Sequence, residues 1–407
     1  MKILMRYFNT ATLSLGFLSA LCASAFIYLF HFGLQFPYLQ TLLGLSALYF
    51  WLTLERPALF WSGFFTALFW FWWIALSFRY YDLAWMIPLV MLGVSLVYGG
   101  IFWLIGSLGH TALRALALGL IEWLHPMGFD WFRPALLFTG SILGDSLWQL
   151  WAVLASLTLL IILRTKLRWI AAAGIVAALH IPQEAHPPEI PVKLVQTSLD
   201  QRDKWDPRYL RVIVEANIAS VKEAEREGYR AVVLPESAFP LYLNREIELI
   251  DRLLKLSRKI TILTGALYYE KGRSYNSSYL FKNGEMRVMH KVVLVPFGEE
   301  VPLPSWIGRW VNKIFFGGAS DYKTAPNPSD FTMAGVEWRN AICYEATTDR
   351  LFEKSPKYMV AISNNAWFLP SIEPSLQRLL LQLQSDRHGT IIYHATNGPI
   401  TTVITPR

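Results

Sequence analysis

Glu236, Lys291 and Cys343 are three residues of this 407-residue chain whose types could together attack a carbonyl, provided the fold brings them together. A cysteine attacks a carbonyl only as its thiolate, so it needs a base or a nearby positive charge. A desolvated glutamate at a strand end can take the thiol proton. A lysine favours the thiolate and can donate to the tetrahedral oxyanion. The backbone N–H after the nucleophile, on Tyr344, is the second candidate donor. Each residue also has an ordinary reading when taken singly. A free cysteine is often a buried strand residue, a strand-end glutamate is often solvated, and a hairpin lysine commonly opposes edge aggregation. Glu345, two positions after Cys343, projects to the same side as the cysteine if the strand continues. Ser237 lies beside Glu236, but no G-x-S-x-G elbow accompanies it.

The elements that must position these residues begin near Pro191. "VKLVQTS" alternates as a strand, 207–228 reads as a helix ended by Gly228, and "AVVLPES" is a buried strand leading to Glu236. A helix over 245–258 precedes the strand "ITILTGALYY". "NSSYLF" and "MRVMHKVVLV" form a hairpin around Asn283-Gly284, which places Lys291 near its second strand. "VEWRNAICYE" and "YMVAISNNAWF" are further buried strands. A helix over 373–388 and the strands "TIIYHATN" and "ITTVIT" follow. Strands interleaved with helices predict a two-layer sheet core covered by helices, with chemistry at the carboxyl ends of strands.

The first 181 residues have another character. They hold 9 Lys/Arg, 5 Asp/Glu and 12 of the 17 tryptophans, against 28 Lys/Arg and 25 Asp/Glu from Pro182 onward. The +7 net charge is thus spread as +4 and +3, which gives no basic surface for nucleic acid. Residues 1–181 read as a membrane domain and 182–407 as a globular domain large enough for its own core. Seven apolar segments are candidate spans: 8–34, 38–54, 58–78, 84–106, 111–125, 146–163 and 168–181. With Met1 in the cytoplasm, seven positive residues (Lys2, Arg6, Arg56, Arg114, Arg164, Lys166, Arg168) face inward, and only Arg79 and Arg133 face out. That asymmetry predicts a second domain on the periplasmic side. Glu122 interrupts the fifth segment; it is either a functional carboxylate at bilayer depth or an interfacial one near His125. Two distant cysteines exclude a disulfide framework, and no spacing of ligand residues suggests a metal.

The order Glu, Lys, Cys in "PES", "HK…VPFGE" and "CYE" resembles the nitrilase superfamily, and most closely the apolipoprotein N-acyltransferase family. "KWDP" at 204–207, "SNNAWF" at 363–368, "HATN" at 394–397 and "LIEWL" at 120–124 carry the same resemblance. It implies a multi-span α-helical membrane domain followed by a nitrilase-like αββα sandwich. It further implies Glu236 as base, Lys291 as oxyanion stabiliser, Cys343 as nucleophile, and Glu299 as a second acidic group that orients Lys291 or moves a proton. Glu345 is read beside them as a supporting carboxylate.

The reaction so implied is ping-pong, without metal or cofactor. Phospholipid acylates Cys343, and the amine of a diacylglyceryl-cysteine lipoprotein then takes the acyl chain, at the bacterial inner membrane. In "WIGRWVNKIFF", Trp306, Trp310, Phe315 and Phe316 alternate with Arg309 and Lys313, as in a lid at a lipid interface or an ordinary packed helix. Trp205, Trp367 and Phe368 either line a lipid entrance or pack in the core. Two features depart from the family pattern: Asn365 stands where its motif has aspartate, and the chain stops at Arg407 where further sheet and a final span are expected. A membrane-anchored amidase and a non-catalytic lipoprotein-binding relative are the competing readings.

Overall fold

The computed structural model describes residues 6–163, 166, 168–180, 189–296, 298–300 and 322–407. The chain divides into two compact units, Met1–Gln183 with Pro370–Leu383, and Glu184–Leu369 with Gln384–Arg407.

Each of the seven apolar segments contains a helix: α1 Thr10–His31, α2 Pro37–Thr53, α3 Arg56–Phe71, α4 Ile87–Gly106, α5 Thr111–Leu120, α6 Leu147–Ile162 and α7 Arg168–Ala177. Pro37, Pro57 and Pro88 sit in first turns, where a missing N–H costs nothing. Among the described residues, three stretches are long and apolar enough to cross a membrane: Thr10–His31, Arg56–Tyr81 (in which α3 tightens into a 3-10 helix) and Ala84–Gly106. α3 packs between α1 and α4. Its approach to α4 depends on Gly63, where a Cβ would lie 2.6 Å from the Tyr98 carbonyl oxygen. Ser62 on α3 meets Ser19 of α1 at 2.9 Å and accepts the Trp51 indole N–H from α2 at 3.1 Å, so three helices share one buried hydroxyl.

Of the two readings of Glu122, the structure assigns the carboxylate a bond inside this unit. Its side chain is 1% exposed, and Oε1 accepts the Ala135 N–H at 2.8 Å at the start of the 3-10 turn Pro134–Phe138. Glu122→Ala strands that buried donor and is expected to lower stability by ~1–3 kcal/mol, whereas Glu122→Gln keeps an acceptor and costs less. Thermal unfolding in detergent distinguishes the two variants.

The second unit holds two sheets. In the first, β1 Val192–Leu194, β2 Ala231–Val233 and β4 Thr261–Glu270 run parallel. β5 Arg273–Lys282 and β6 Glu285–His290 extend it antiparallel, and β3 Phe239–Tyr242 pairs with β4. In the second, β8 Val336–Ile342, β9 Tyr358–Asn364 and β10 Ile391–Asn397 are parallel. β7 Asp330–Met333 and β11 Thr402–Ile404 flank them antiparallel. Facing residues of the sheets, among them Val233, Leu263, Trp338, Ile342, Val360 and Tyr393, interlock in one core. Helices α9 Pro207–Arg226 and α10 Ile247–Leu256 cover the outer face of the first sheet. A one-turn helix, α8 Gln201–Lys204, precedes α9, and α11 Glu373–His388 links β9 to β10. The β5–β6 hairpin turns at Asn283-Gly284 with φ of +55° and +82°, as its sequence predicts.

Several expected strands are shorter than predicted, among them "VKLVQTS", which ends at Leu194, and "YMVAISNNAWF", which ends at Asn364. "MRVMHKVVLV" leaves the sheet at His290, because the Val292 and Val293 N–H groups donate to the Glu345 carboxylate instead of a strand partner. The strand before Cys343 stops at Ile342.

Candidate active site

Glu236 follows β2, where Leu234 N donates to Leu263 O and Gly265 N to Pro235 O. Gly265 on β4 leaves room for this crossing. A Cβ there would stand 2.5 Å from Ser237 N and 2.7 Å from Glu236 Cα, closer than any side chain tolerates. Gly265→Ala must therefore displace Glu236. Its expected cost is ~1–3 kcal/mol of stability, with at least a tenfold slower covalent modification of Cys343, read by thermal unfolding and mass spectrometry.

The Glu236 carboxylate is held by Asn276 of β5, whose Nδ2 donates to Glu236 Oε1 and to Glu299 Oε1, both at 2.8 Å. Glu299 Oε2 accepts the Val295 N–H at 2.9 Å and lies 2.7 Å from Lys291 Nζ. Lys291 is 0% exposed, and its own N–H donates to Asn276 O at 3.0 Å. Burial works to lower Lys291, but Glu299 first, then Glu236, Cys343 and Glu345, hold its ammonium charged above the usual lysine range. One amide and one cation thus tie both carboxylates into a single unit.

Cys343 sits at the junction of β8 with the 3-10 helix Cys343–Thr347, half-buried, with φ of +56°. A non-glycine residue in the left-handed region at a strand tip is strained, and such strain collects at functional sites. The turn changes the expectation for Glu345, which no longer extends beside the cysteine. Its side chain folds back instead. Oε1 accepts Ile342 N at 2.9 Å, and Oε2 accepts Val292 N at 2.7 Å and Val293 N at 3.0 Å. Burial pushes the Glu345 carboxyl up to about 7, against Lys291 and these amides. All three contacts require an acceptor oxygen, so the geometry fits the ionised form. Glu345 fastens the Cys343 turn to the segment after Lys291.

Sequence reasoning missed two groups. Asn276 is the first residue of the expected strand "NSSYLF", and no local signal distinguishes it. Lys204, in the "KWDP" fragment, is 1% exposed and donates from Nζ to the Glu236 carbonyl at 2.9 Å. Burial brings Lys204 down to about 7, with Glu236 and Cys343 pulling the other way. The lipid-lining candidates are less gathered. Trp205 follows α8 and is 38% exposed, and Trp367 and Phe368 are half-buried in the 3-10 helix Asn365–Phe368. Trp306, Trp310, Phe315 and Phe316 lie outside the described residues.

Residues 10–181 match the family described as apolipoprotein N-acyltransferase integral membrane domain. Over 404 residues the chain is 42% identical to the apolipoprotein N-acyltransferase of Wolinella succinogenes, covering 98% of this chain and 97% of that one. The chain belongs to the apolipoprotein N-acyltransferase family. Two further members bear the same name. That of Helicobacter pylori is 34% identical over 100% of this chain and 97% of its own length, and that of Helicobacter hepaticus is 34% identical over 91% and 94%. Among solved structures, an amidase of the nitrilase superfamily from Nesterenkonia is similar at 13% identity and a TM-score of 0.38, covering 53% of this chain and 79% of that one. An integral membrane domain followed by an α/β sandwich, expected from the sequence, is the architecture of this family member.

Proposed function

We propose that this chain moves a fatty acyl chain from phospholipid to the α-amine of a diacylglyceryl-cysteine lipoprotein, through a thioester on Cys343. Family membership supports the reaction class. One observation supports the residues: the strained Cys343 tip lies within electrostatic range of Lys291, which pairs with Glu299 and shares the Asn276 amide bridge to Glu236.

In the first half-reaction Glu236 takes the Cys343 Sγ proton, and the thiolate attacks the ester carbonyl of the phospholipid. The oxyanion forms beside the Lys291 ammonium and the Tyr344 N–H. Collapse breaks the ester C–O bond, the lysophospholipid oxygen takes the proton back from Glu236, and the acyl chain stays on sulfur. In the second, the lipoprotein amine attacks the thioester and gives a proton to Glu236. The C–S bond breaks, the proton returns to the departing thiolate, and an amide remains. These steps call on side chains and backbone alone. Glu299 and Glu345 act by holding Lys291 and the Cys343 turn. We further read 1–181 as the membrane domain and 182–407 as the catalytic domain, facing the periplasm from the inner membrane. The excess of positive residues on one side of the spans supports that orientation.

Incubating the purified chain with phospholipid, followed by peptide mass spectrometry, tests the reading. An acyl adduct on the Cys343 peptide, discharged by a diacylglyceryl-cysteine peptide, is the expected result. Hydrolysis of small amides with no acyl adduct would overturn it in favour of a membrane-anchored amidase.

A further inference from the structure

Three sequence fragments left idle by the thioester chemistry converge in the second unit. Asn397 ends β10, in "HATN". Its Oδ1 accepts from Thr197 Oγ1 at 2.8 Å and Leu199 N at 2.9 Å, and its Nδ2 donates to Leu199 O at 3.1 Å and Asn364 Oδ1 at 2.7 Å. Asn364, in "SNNAWF" at the end of β9, donates from Nδ2 to Gln201 Oε1 at 2.8 Å. Gln201 opens α8, and Lys204, the first residue of "KWDP", closes it. All three of these amide side chains are buried. A row of amides reaching from two strand ends of the second sheet therefore fixes the single helical turn that carries Lys204. That turn delivers the Nζ to the Glu236 carbonyl at 2.9 Å, its one hydrogen-bond acceptor among the described residues.

An ammonium buried with no carboxylate in contact is costly, and a fold that builds a dedicated support for one concentrates its field on the neighbours. The charged and titratable groups around this locus are Glu236 after β2, Cys343 after β8, and beyond them Lys291 after β6 with Glu299 and Glu345. We propose that Lys204 is a positioning residue of the acyl-transfer site, anchoring the Glu236 backbone and adding to Lys291 a second positive charge that favours the Cys343 thiolate. The assignment rests on the reading of Cys343 as nucleophile. Proton transfer from Cys343 Sγ to Glu236 moves one negative charge from carboxylate to sulfur. The transfer takes no proton from either lysine, and burial, which brings Lys204 down to about 7, confines its positive charge to the lower part of the pH range.

The test is iodoacetamide alkylation of the full-length chain in detergent between pH 5 and 9, resolved by peptide mass so that Cys343 is followed apart from Cys22. In Lys204→Met, the pH of half-maximal Cys343 alkylation is expected to rise by about one unit, and acylation by phospholipid at pH 6.5 to fall roughly tenfold. Lys204→Arg is expected to restore the midpoint. Asn364→Ala, which loosens α8 and leaves Lys204 in place, is expected to shift the midpoint in the same direction by less, and it serves if Lys204→Met fails to fold. An unmoved midpoint in folded Lys204→Met, or in Asn364→Ala where only that variant folds, overturns the assignment. Failure of the acyl-transfer reading has a different signature, since the wild-type protein then takes no acyl group from phospholipid whatever its alkylation midpoint.

Discussion

Cys343→Ala is expected to abolish the acyl adduct and to slow lysophospholipid release by at least ~10³-fold, as removal of a nucleophile does where several groups act as one. The substitution takes away the sulfur at the tip of β8 that would carry the acyl group. Backbone geometry makes the same site informative about stability. At φ of +56° an alanine remains in the left-handed region, while a glycine occupies it freely. Cys343→Gly is therefore expected to be about 1–2 kcal/mol more stable than Cys343→Ala, measured by thermal unfolding in detergent. Equal melting of the two variants would show that the turn carries no strain. The pair separates the chemical demand for sulfur from the conformational demand of the turn that presents it.

Lys291→Met is the second large effect, and it acts on rate and fold together. Its ammonium is 0% exposed and faces Glu299, Glu236 and Glu345. Removing the cation leaves three carboxylates short of compensation, at an expected cost of ~3–5 kcal/mol. Loss of an oxyanion donor lowers acylation by ~10²–10³-fold. The stability difference carries a pH signature. Without Lys291 the buried Glu345 carboxyl, already raised by desolvation, loses the cation that holds it down, so the folded variant binds a proton there more readily than the unfolded chain. A raised acid contributes stability that is present at low pH and lost as pH rises through its folded value. Glu345 already stands at about 7 with Lys291 in place. The deficit of Lys291→Met relative to wild type is therefore expected to be largest above pH 7 and to narrow towards pH 5. A deficit independent of pH would mean that packing, and not charge, is what the variant loses.

The residues that end strands were readable because strand patterning and strand ends are local properties. "AVVLPES" and "RNAICYE" alternate or run apolar and then turn polar, which marks Glu236 and Cys343 as strand-end groups, and the order Glu, Lys, Cys shared with the family joins them. The span of α11 and the turn at Asn283-Gly284 were legible for the same reason. Lys204 and Asn276 were not. A lysine between an aspartate and a tryptophan looks solvent-facing, and only the buried amides from β9 and β10, separated from it by over 150 residues, take it inside. Asn276 is one polar residue in a polar strand, and its meaning arises when Glu236 and Glu299 arrive on either side of its amide. Glu345 was found but misplaced, because a helical turn after Ile342 depends on amides contributed by Val292 and Val293. Long-range partners decided each of these positions.

The division of the chain has a consequence for its biogenesis. Pro370–Leu383 is grouped with the helical unit, where Ser375 meets His31 at 3.0 Å, although β9 before it and β10 after it pair side by side in the second sheet. The polypeptide must return to its earliest-made helix in the middle of building its last parallel strand pair. The helical unit is thus discontinuous in sequence, and its contact between His31 and Ser375 can form only after nearly all of the chain has been made. A fragment started at residue 184 would carry that crossover without its seat.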